Sequence, residues 1–359
     1  MYQALYRSFR PETFDALLGQ EHIKKVLESQ IKSGTVGHAY LFCGTRGTGK
    51  TTTARLLAKA LNCTGEGNKP CGVCDACKAI SNGTFIDVVE MDAASNNSVD
   101  DIRSLRESVN FPPVIGKTKV YIIDEAHMLS TAAANAFLKT LEEPPANTVF
   151  ILATTDPNKL PPTILSRCIR LDFKRVPEKQ ITEGFKAICD ELGVEADMDA
   201  LALIAANADG SVRDGLSILD RCIGASDHLT RDDVLFILGM SSIETYIELT
   251  EKIIEKDCSG ALAVFAAAIS EGKEVLQFTR DFVEHARNLL IVKYTNQPET
   301  LLNLSVENIK RIKALSDKLS MDDISAMITK LSATLNDARW AEKPRILVEL
   351  AIIELCQRR

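Results

Sequence analysis

No apolar run in this chain of 359 residues approaches the length of a membrane-spanning helix, so no membrane partner is expected. A cleavable leader is absent too, since Met1-Tyr2-Gln3-Ala4-Leu5-Tyr6-Arg7 opens directly into structured-looking sequence, and a cytoplasmic location is expected. Nor is there an excess of positive charge: 42 basic residues stand against 49 acidic ones, a net charge of −7. That argues against a protein coated in nucleic acid, while leaving room for a local basic face. Repeats and low-complexity segments are missing as well. What remains is ordinary for a globular chain, 45% hydrophobic and 25% charged, and long enough for two or three domains.

The most informative stretch is Gly44-Thr45-Arg46-Gly47-Thr48-Gly49-Lys50-Thr51, a full match to the phosphate-cradling pattern G-x-x-x-x-G-K-[ST]. Apolar Ala39–Cys43 before it reads as a buried strand, and Thr52 to Leu61 after it has helical spacing. In that context the glycines let backbone N–H groups converge on phosphate oxygens at the positive end of a helix. Residues 44 to 52, from Gly44 to Thr52, are thus the expected nucleotide-binding segment. Lys50 is expected on the β- and γ-phosphates of a nucleoside triphosphate and the Thr51 hydroxyl on Mg²⁺. The alternative is a glycine turn that merely starts a helix.

A second half of that site follows at Val120-Tyr121-Ile122-Ile123-Asp124-Glu125-Ala126-His127. A hydrophobic strand ends in two carboxylates. Asp124 is the expected Mg²⁺ holder and Glu125 the residue that polarises the attacking water. Polar strand ends are common, so the pair gains its meaning from the phosphate loop upstream. His127 is read as a helix-start residue without a role.

Of ten cysteines, four crowd into Cys63-Thr64-Gly65-Glu66-Gly67-Asn68-Lys69-Pro70-Cys71-Gly72-Val73-Cys74-Asp75-Ala76-Cys77. Cys63, Cys71, Cys74 and Cys77 suit a closed tetrahedral Zn²⁺ site of structural kind in a reducing compartment. Two disulfides, or four unligated thiols, are the alternative. Cys43, Cys168, Cys189, Cys222, Cys258 and Cys356 stand singly among apolar neighbours and read as small buried hydrophobes.

The first half of the chain alternates apolar runs with helical stretches. Strands are expected at Ala39–Cys43, Ile86–Glu90, Val120–Ile123, Val149–Ala153 and Ile169–Phe173, with helices such as Val99–Ser108 and Thr131–Leu141 between them. This predicts an α/β domain with a parallel sheet covered on both faces and its ligand at the carboxyl ends of the strands. Strand signals stop after Phe173. Helical patterns over Gln180–Glu191, Met198–Asn207, Val212–Ile223 and Arg231–Leu238 predict a small bundle. After a break at Gly239-Met240-Ser241-Ser242 come longer amphipathic helices such as Val275–Val292 and Met321–Asp337, punctuated at Gln297-Pro298 and Lys343-Pro344.

Several strings together carry a family likeness: Arg10-Pro11-Glu12-Thr13-Phe14-Asp15-Ala16-Leu17-Leu18-Gly19-Gln20-Glu21-His22, the phosphate loop, the four-cysteine insert, Leu141-Glu142-Glu143-Pro144-Pro145 and Ser166-Arg167-Cys168. The chain resembles the AAA+ clamp-loader subunits of bacterial DNA polymerase III, of the tau/gamma type, in which the first of these strings looks like the N-terminal segment of the nucleotide pocket; an amphipathic helix with a polar entry is the alternative. The likeness is sharp over residues 1 to about 240 and rests further on only on helical pattern and Gln277-Phe278-Thr279-Arg280-Asp281. It implies an AAA+ nucleotide-binding domain over 1–176 with a zinc insert at about 63–77, a small helical lid over 177–239, and an all-α collar over 240–359.

The resemblance also implies roles that spacing does not. Thr155 falls at the family's first sensor, Arg213 at the second sensor on the lid, and Arg167, on the far side of the sheet's strand order from Lys50, at the arginine finger that reaches a neighbouring subunit's nucleotide; an ordinary strand-end threonine and surface arginines in ion pairs are the alternatives. It implies an ATP hydrolase that opens a sliding clamp and loads it on primer–template DNA, joined to other clamp-loader subunits through its C-terminal helices. Ala94-Ser95-Asn96-Asn97-Ser98-Val99 corresponds to the stretch that tracks duplex phosphates in relatives; it is uncharged here, and a plain helix cap at Ser98 is the alternative. Another AAA+ DNA motor, disfavoured by the cysteine insert and the Ser-Arg-Cys string, is the nearest other reading. A non-hydrolysing scaffold subunit would be expected to have lost Lys50, Thr51, Asp124 or Glu125, all present here. The tau form of the family carries a long tail, so a sequence ending at Arg359 is expected to correspond to a shortened form.

Overall fold

The computed structural model describes residues 3–96, 105, 107–109, 111–224, 228–238, 243–302, 304 and 306–358. They form two compact units, Met1–Leu229 and Thr230–Arg359. Among the described residues no helix is long and apolar enough to cross a membrane.

The first unit is built on five parallel strands: β1 (Ala39–Cys43), β2 (Val88–Asp92), β3 (Lys119–Asp124), β4 (Thr148–Thr154) and β5 (Ile169–Asp172), ordered β2-β3-β4-β1-β5. The three central strands are buried almost throughout, which is why their sequences are continuous apolar runs. Alternate side chains feed separate cores. Tyr40, Phe42, Val120, Ile122 and Ile151 pack with Ile23, Leu27, Ala54 and Leu57 on one face. Leu41, Tyr121, Ile123, Phe150 and Leu152 pack with Ala133, Phe137 and Leu141 on the other.

The strand expected at Ile86–Glu90 lies two residues later, at Val88–Asp92. The Asp87 side chain explains the shift. It is fully buried and accepts the N–H groups of Val114, Ile115 and Gly116 at 2.8, 2.7 and 2.7 Å, so residue 87 belongs to a loop anchor while Ile86 stays exposed. Burial opposes ionisation of Asp87, yet the N–H groups of Gly116, Val114 and Ile115 hold its carboxyl below the ordinary carboxylate range.

Three helices then follow, Glu178–Leu192, Met198–Asn207 and Val212–Ile223. Strands do not end at residue 173, as expected: Glu195–Ala196 and His228–Leu229 pair in parallel in this lid. Two paired residues are too short to leave a periodic pattern. Gly239 to Ser242, Asn97 to Val99, and most of the helix expected at Val99–Ser108 lie outside the described residues.

The second unit is helical: Arg231–Leu238, Ile243–Ile254, Cys258–Ser270, Val275–Tyr294, Val306–Ser316, Met321–Ala338 and Pro344–Gln357. Its core gathers Phe265, Phe278, Phe282, Ile312, Leu331 and Ile352. Of the six lone cysteines, Cys43, Cys189, Cys222 and Cys356 are buried, but Cys168 and Cys258 are only half-buried, each at or beside the end of an element.

Candidate nucleotide site and four-cysteine cluster

β1 ends at Cys43 and the chain turns through the glycine loop into the helix Lys50–Asn62. Gly47 and Gly49 have φ of 76° and 97°, values open to glycine at no steric cost. No side chain caps the helix start, so its first N–H groups face the loop. Lys50 donates from Nζ to the carbonyls of Gly44 and Thr45 at 2.8 and 2.9 Å. Burial lowers the Lys50 pKa, and the nearby Glu125 and Asp124 oppose that shift. Thr48 is buried and donates to the Thr45 carbonyl, while Thr45 and Arg46 are exposed.

The carboxylate pair meets the loop from β3. Thr51 donates its hydroxyl to Asp124 Oδ2 at 2.7 Å, and the Glu125 N–H donates to Asp124 Oδ1 at 2.9 Å. Glu125 adopts the left-handed conformation, φ 45° and ψ 45°, which an ordinary side chain holds only at a cost of about 1–3 kcal/mol. Its Oε2 accepts from the Thr155 hydroxyl at 3.2 Å, across from the end of β4. Hydroxyl and carboxylate oxygens of this kind suit Mg²⁺.

The lid closes over the loop. Ser211 caps the helix Val212–Ile223 by accepting the Asp214 N–H, and its hydroxyl packs on Gly47. Arg213, in the first turn of that helix, stands with its guanidinium 5.0 Å from the Tyr6 ring centroid. Two residues of the Arg10–His22 string, Arg10 and Gln20, join the site, as does His127, which was read without a role. Arg10 donates to Thr52 Oγ1 at 3.4 Å; burial first, then Arg55, lowers its pKa, with Glu90, Arg213 and Asp124 also acting on it. Gln20 links the loop to the lid connection, donating to the carbonyls of Thr48 at 3.4 Å and Lys174 at 2.6 Å and accepting the Lys174 N–H at 3.1 Å. His127 sits at the carboxylate pair. Within the clamp-loader string only its place beside the loop could have singled Gln20 out; nothing in the sequence marked His127.

Arg167 is not brought to this cluster. It donates to Glu142 Oε1 at 2.6 Å, to the Thr163 carbonyl at 2.8 Å and to Ser166 Oγ at 3.2 Å. The family resemblance implies a place on the far side of the strand order from Lys50. Instead β5 is the direct neighbour of β1, in the register Tyr40↔Ile169. The separation runs along the strands: Arg167 precedes the amino end of β5, whereas the loop follows the carboxyl end of β1.

At the far end of the helix Lys50–Asn62 the sulfur atoms of Cys63, Cys71, Cys74 and Cys77 all lie within 4.8 Å of one another. Cys63 and Cys74 sulfurs are 4.0 Å apart. A tetrahedral zinc with bonds of about 2.3 Å has sulfur–sulfur edges of about 3.8 Å, so the four fit. The backbone N–H groups of Cys74 and Val73 hold the Cys71 thiol below its ordinary range, favouring the thiolate that a metal needs.

Residues 19–177 match the family described as DNA polymerase III, delta subunit; residues 180–228 match the clamp-loader ATPase lid domain; residues 229–359 match domain III of the gamma and tau subunits. The chain is 43% identical to DNA polymerase III subunit tau of Bacillus subtilis over 359 residues, 99% of this chain and 63% of that protein. It is 39% identical to subunit tau of Escherichia coli, over 98% of this chain and 55% of that one. To subunit gamma of Buchnera aphidicola it is 40% identical, covering 76% of each. The chain therefore spans little more than half to two thirds of the tau proteins it resembles. Among solved structures, the RuvB Holliday junction branch migration motor of Thermotoga maritima superposes with a TM-score of 0.50 at 22% identity, over 69% of this chain and 80% of that one, a likeness of fold.

Proposed function

The chain belongs to the family of DNA polymerase III tau and gamma subunits, and on that premise we propose that it is an ATP-hydrolysing subunit of a bacterial replicative clamp loader. The observation that carries the reading is the hydrogen bond between Thr51 and Asp124 under the glycine loop, 73 residues apart in sequence. It joins the two halves of a phosphate-and-metal site at the carboxyl ends of parallel strands.

In this reading the loop N–H groups and Lys50 bind the phosphates of ATP. Thr51 and Asp124 hold Mg²⁺, which when bound supplies neutralisation of charge on the β- and γ-phosphates. Glu125 takes a proton from the attacking water, Thr155 orients that carboxylate, and Arg213 brings the lid down on the nucleotide. Arg167, released from Glu142, reaches the nucleotide of a neighbouring subunit. Cys63, Cys71, Cys74 and Cys77 hold Zn²⁺, which supplies folding energy to the insert. The domains we propose are nucleotide-binding, 1–176, lid, 177–229, and a collar, 230–359, whose helices, Arg231–Leu238 among them, assemble with other clamp-loader subunits. The sliding clamp and primer–template DNA are the remaining partners, and the site of action is the cytoplasm.

The test is ATP turnover and clamp loading by the assembled complex, with and without clamp and primed DNA. Lys50→Ala is expected to lose ATP binding. Glu125→Gln is expected to bind ATP normally with turnover lower by about a hundredfold. Wild-type turnover in both variants would overturn the reading.

A further inference from the structure

We propose that His127 is a positioning residue for Glu125: it holds one carboxylate oxygen, so that the other is turned to the attacking water. The proposal rests on the reading of Glu125 given above. Glu125 leads into a single short turn, Ala126–Met128, which folds residue 127 back toward it. His127 Nδ1 lies 3.1 Å from Thr154 Oγ1 and 3.3 Å from Glu125 Oε2, with the imidazole side chain only 11% exposed. Both neighbours are oxygens and one is anionic, which favours the tautomer with its proton on Nδ1. Thr154 Oγ1 also accepts the Asp156 N–H at 3.1 Å, so the end of β4 is fixed from two sides.

The asymmetry at Glu125 gives this contact its meaning. Thr155 donates to the same oxygen, Oε2, at 3.2 Å. Among the described residues, the two side chains within hydrogen-bonding distance of the carboxylate, Thr155 and His127, both approach Oε2. A general base works through one oxygen and needs that oxygen aimed. The strained backbone at Glu125 makes the aim a matter of what surrounds the side chain rather than of local preference. His127 and Thr155 supply the constraint from opposite sides, one from the turn after β3 and one from the end of β4.

The experiment uses the assembled complex and compares wild type with His127→Ala, His127→Phe and His127→Asn, reading ATP affinity, KM and kcat separately. His127→Phe keeps a ring without a donor, whereas the Asn amide can stand where Nδ1 stands. We expect kcat to fall about tenfold or more in the Ala and Phe variants at unchanged ATP affinity, with most of it restored in His127→Asn. Thermal melting identifies any variant that fails to fold, and the Phe and Asn pair then decides the matter. In a Glu125→Gln background, His127→Phe is expected to cost nothing further, because the group it aims is gone. Wild-type kcat in His127→Phe overturns the proposal, as does a rise in KM alone or an Asn variant no better than Phe. If Glu125→Gln turns over like wild type, the reading of Glu125 itself has failed; if it is dead while the His127 variants are normal, only the present proposal has.

Discussion

A methyl group added to Gly47 would overlap the Ser211 hydroxyl, so the glycine loop and the residue that caps the helix Val212–Ile223 are in direct contact. Ser211 is therefore both the helix cap and the surface on which the loop rests.

Gly47→Ala is accordingly expected to weaken ATP binding by tenfold or more, through the overlap and through the positive φ of 76°. Adding Ser211→Gly removes the overlapping side chain and should recover only part of the loss, since the backbone strain stays. Titration with a fluorescent ATP analogue checks both, and a single variant that binds like wild type would count against the contact.

The buried strands were legible because β1, β3 and β4 are contiguous apolar runs, and the glycine loop and Asp124-Glu125 because each is contiguous too. Asp87 was not, since a carboxylate that collects three N–H groups from residues 114–116 leaves no periodic trace. The individual partners of Arg10, Gln20 and His127 escaped for a similar reason. Arg10 acts on a residue 42 positions away and Gln20 on one 154 positions away. Such partners are brought together by the sheet order, which a linear pattern does not carry.

The cysteine cluster is expected to hold one Zn²⁺ per chain, measurable by elemental analysis of protein purified without chelators. Replacing Cys63, Cys71, Cys74 and Cys77 by Ser should lower the melting temperature by roughly 5–10 °C. ATP affinity should change by no more than a few-fold, because a closed site offers no position to substrate. Metal-free protein of unchanged stability would refute this.

Arg167 offers a test in mixed assemblies. Arg167→Ala should bind ATP normally yet fail to support turnover in the complex, where an arginine finger contributes about a thousandfold. Mixed with Lys50→Ala chains, it should regain activity at interfaces that pair an intact loop with an intact finger. Glu142→Gln, which loosens the 2.6 Å ion pair holding Arg167, should not lower turnover. Failure to recover activity despite proven co-assembly would argue that Arg167 does not act across subunits.

In the helical unit, Asp281 and His285 lie one turn apart on the helix Val275–Tyr294 with opposed pH dependences. Burial pushes His285 down to about 4 from 6.5, and Asp281 up to about 6 from 3.8. A histidine kept neutral by folding loses stability as pH falls from 6.5 towards 4. A carboxyl raised by folding keeps its contribution below 3.8 and loses it as pH rises to 6. The slopes oppose each other, each at about 1.4 kcal/mol per pH unit at most. Relative to wild type, His285→Phe should therefore gain melting temperature as pH falls from 6.5 to 4, and Asp281→Asn should gain it as pH rises from 4 to 6. Parallel curves for all three proteins would refute the pairing.

The helix Lys50–Asn62 has one more consequence. It contains neither glycine nor proline, so it behaves as an unkinked rod about 20 Å long. Lys50 is its first residue and Cys63 the residue just past its last. The cysteine cluster is therefore braced directly against one end of a helix whose other end turns its first N–H groups to the glycine loop. No glycine or proline lies between the two ends to form a hinge.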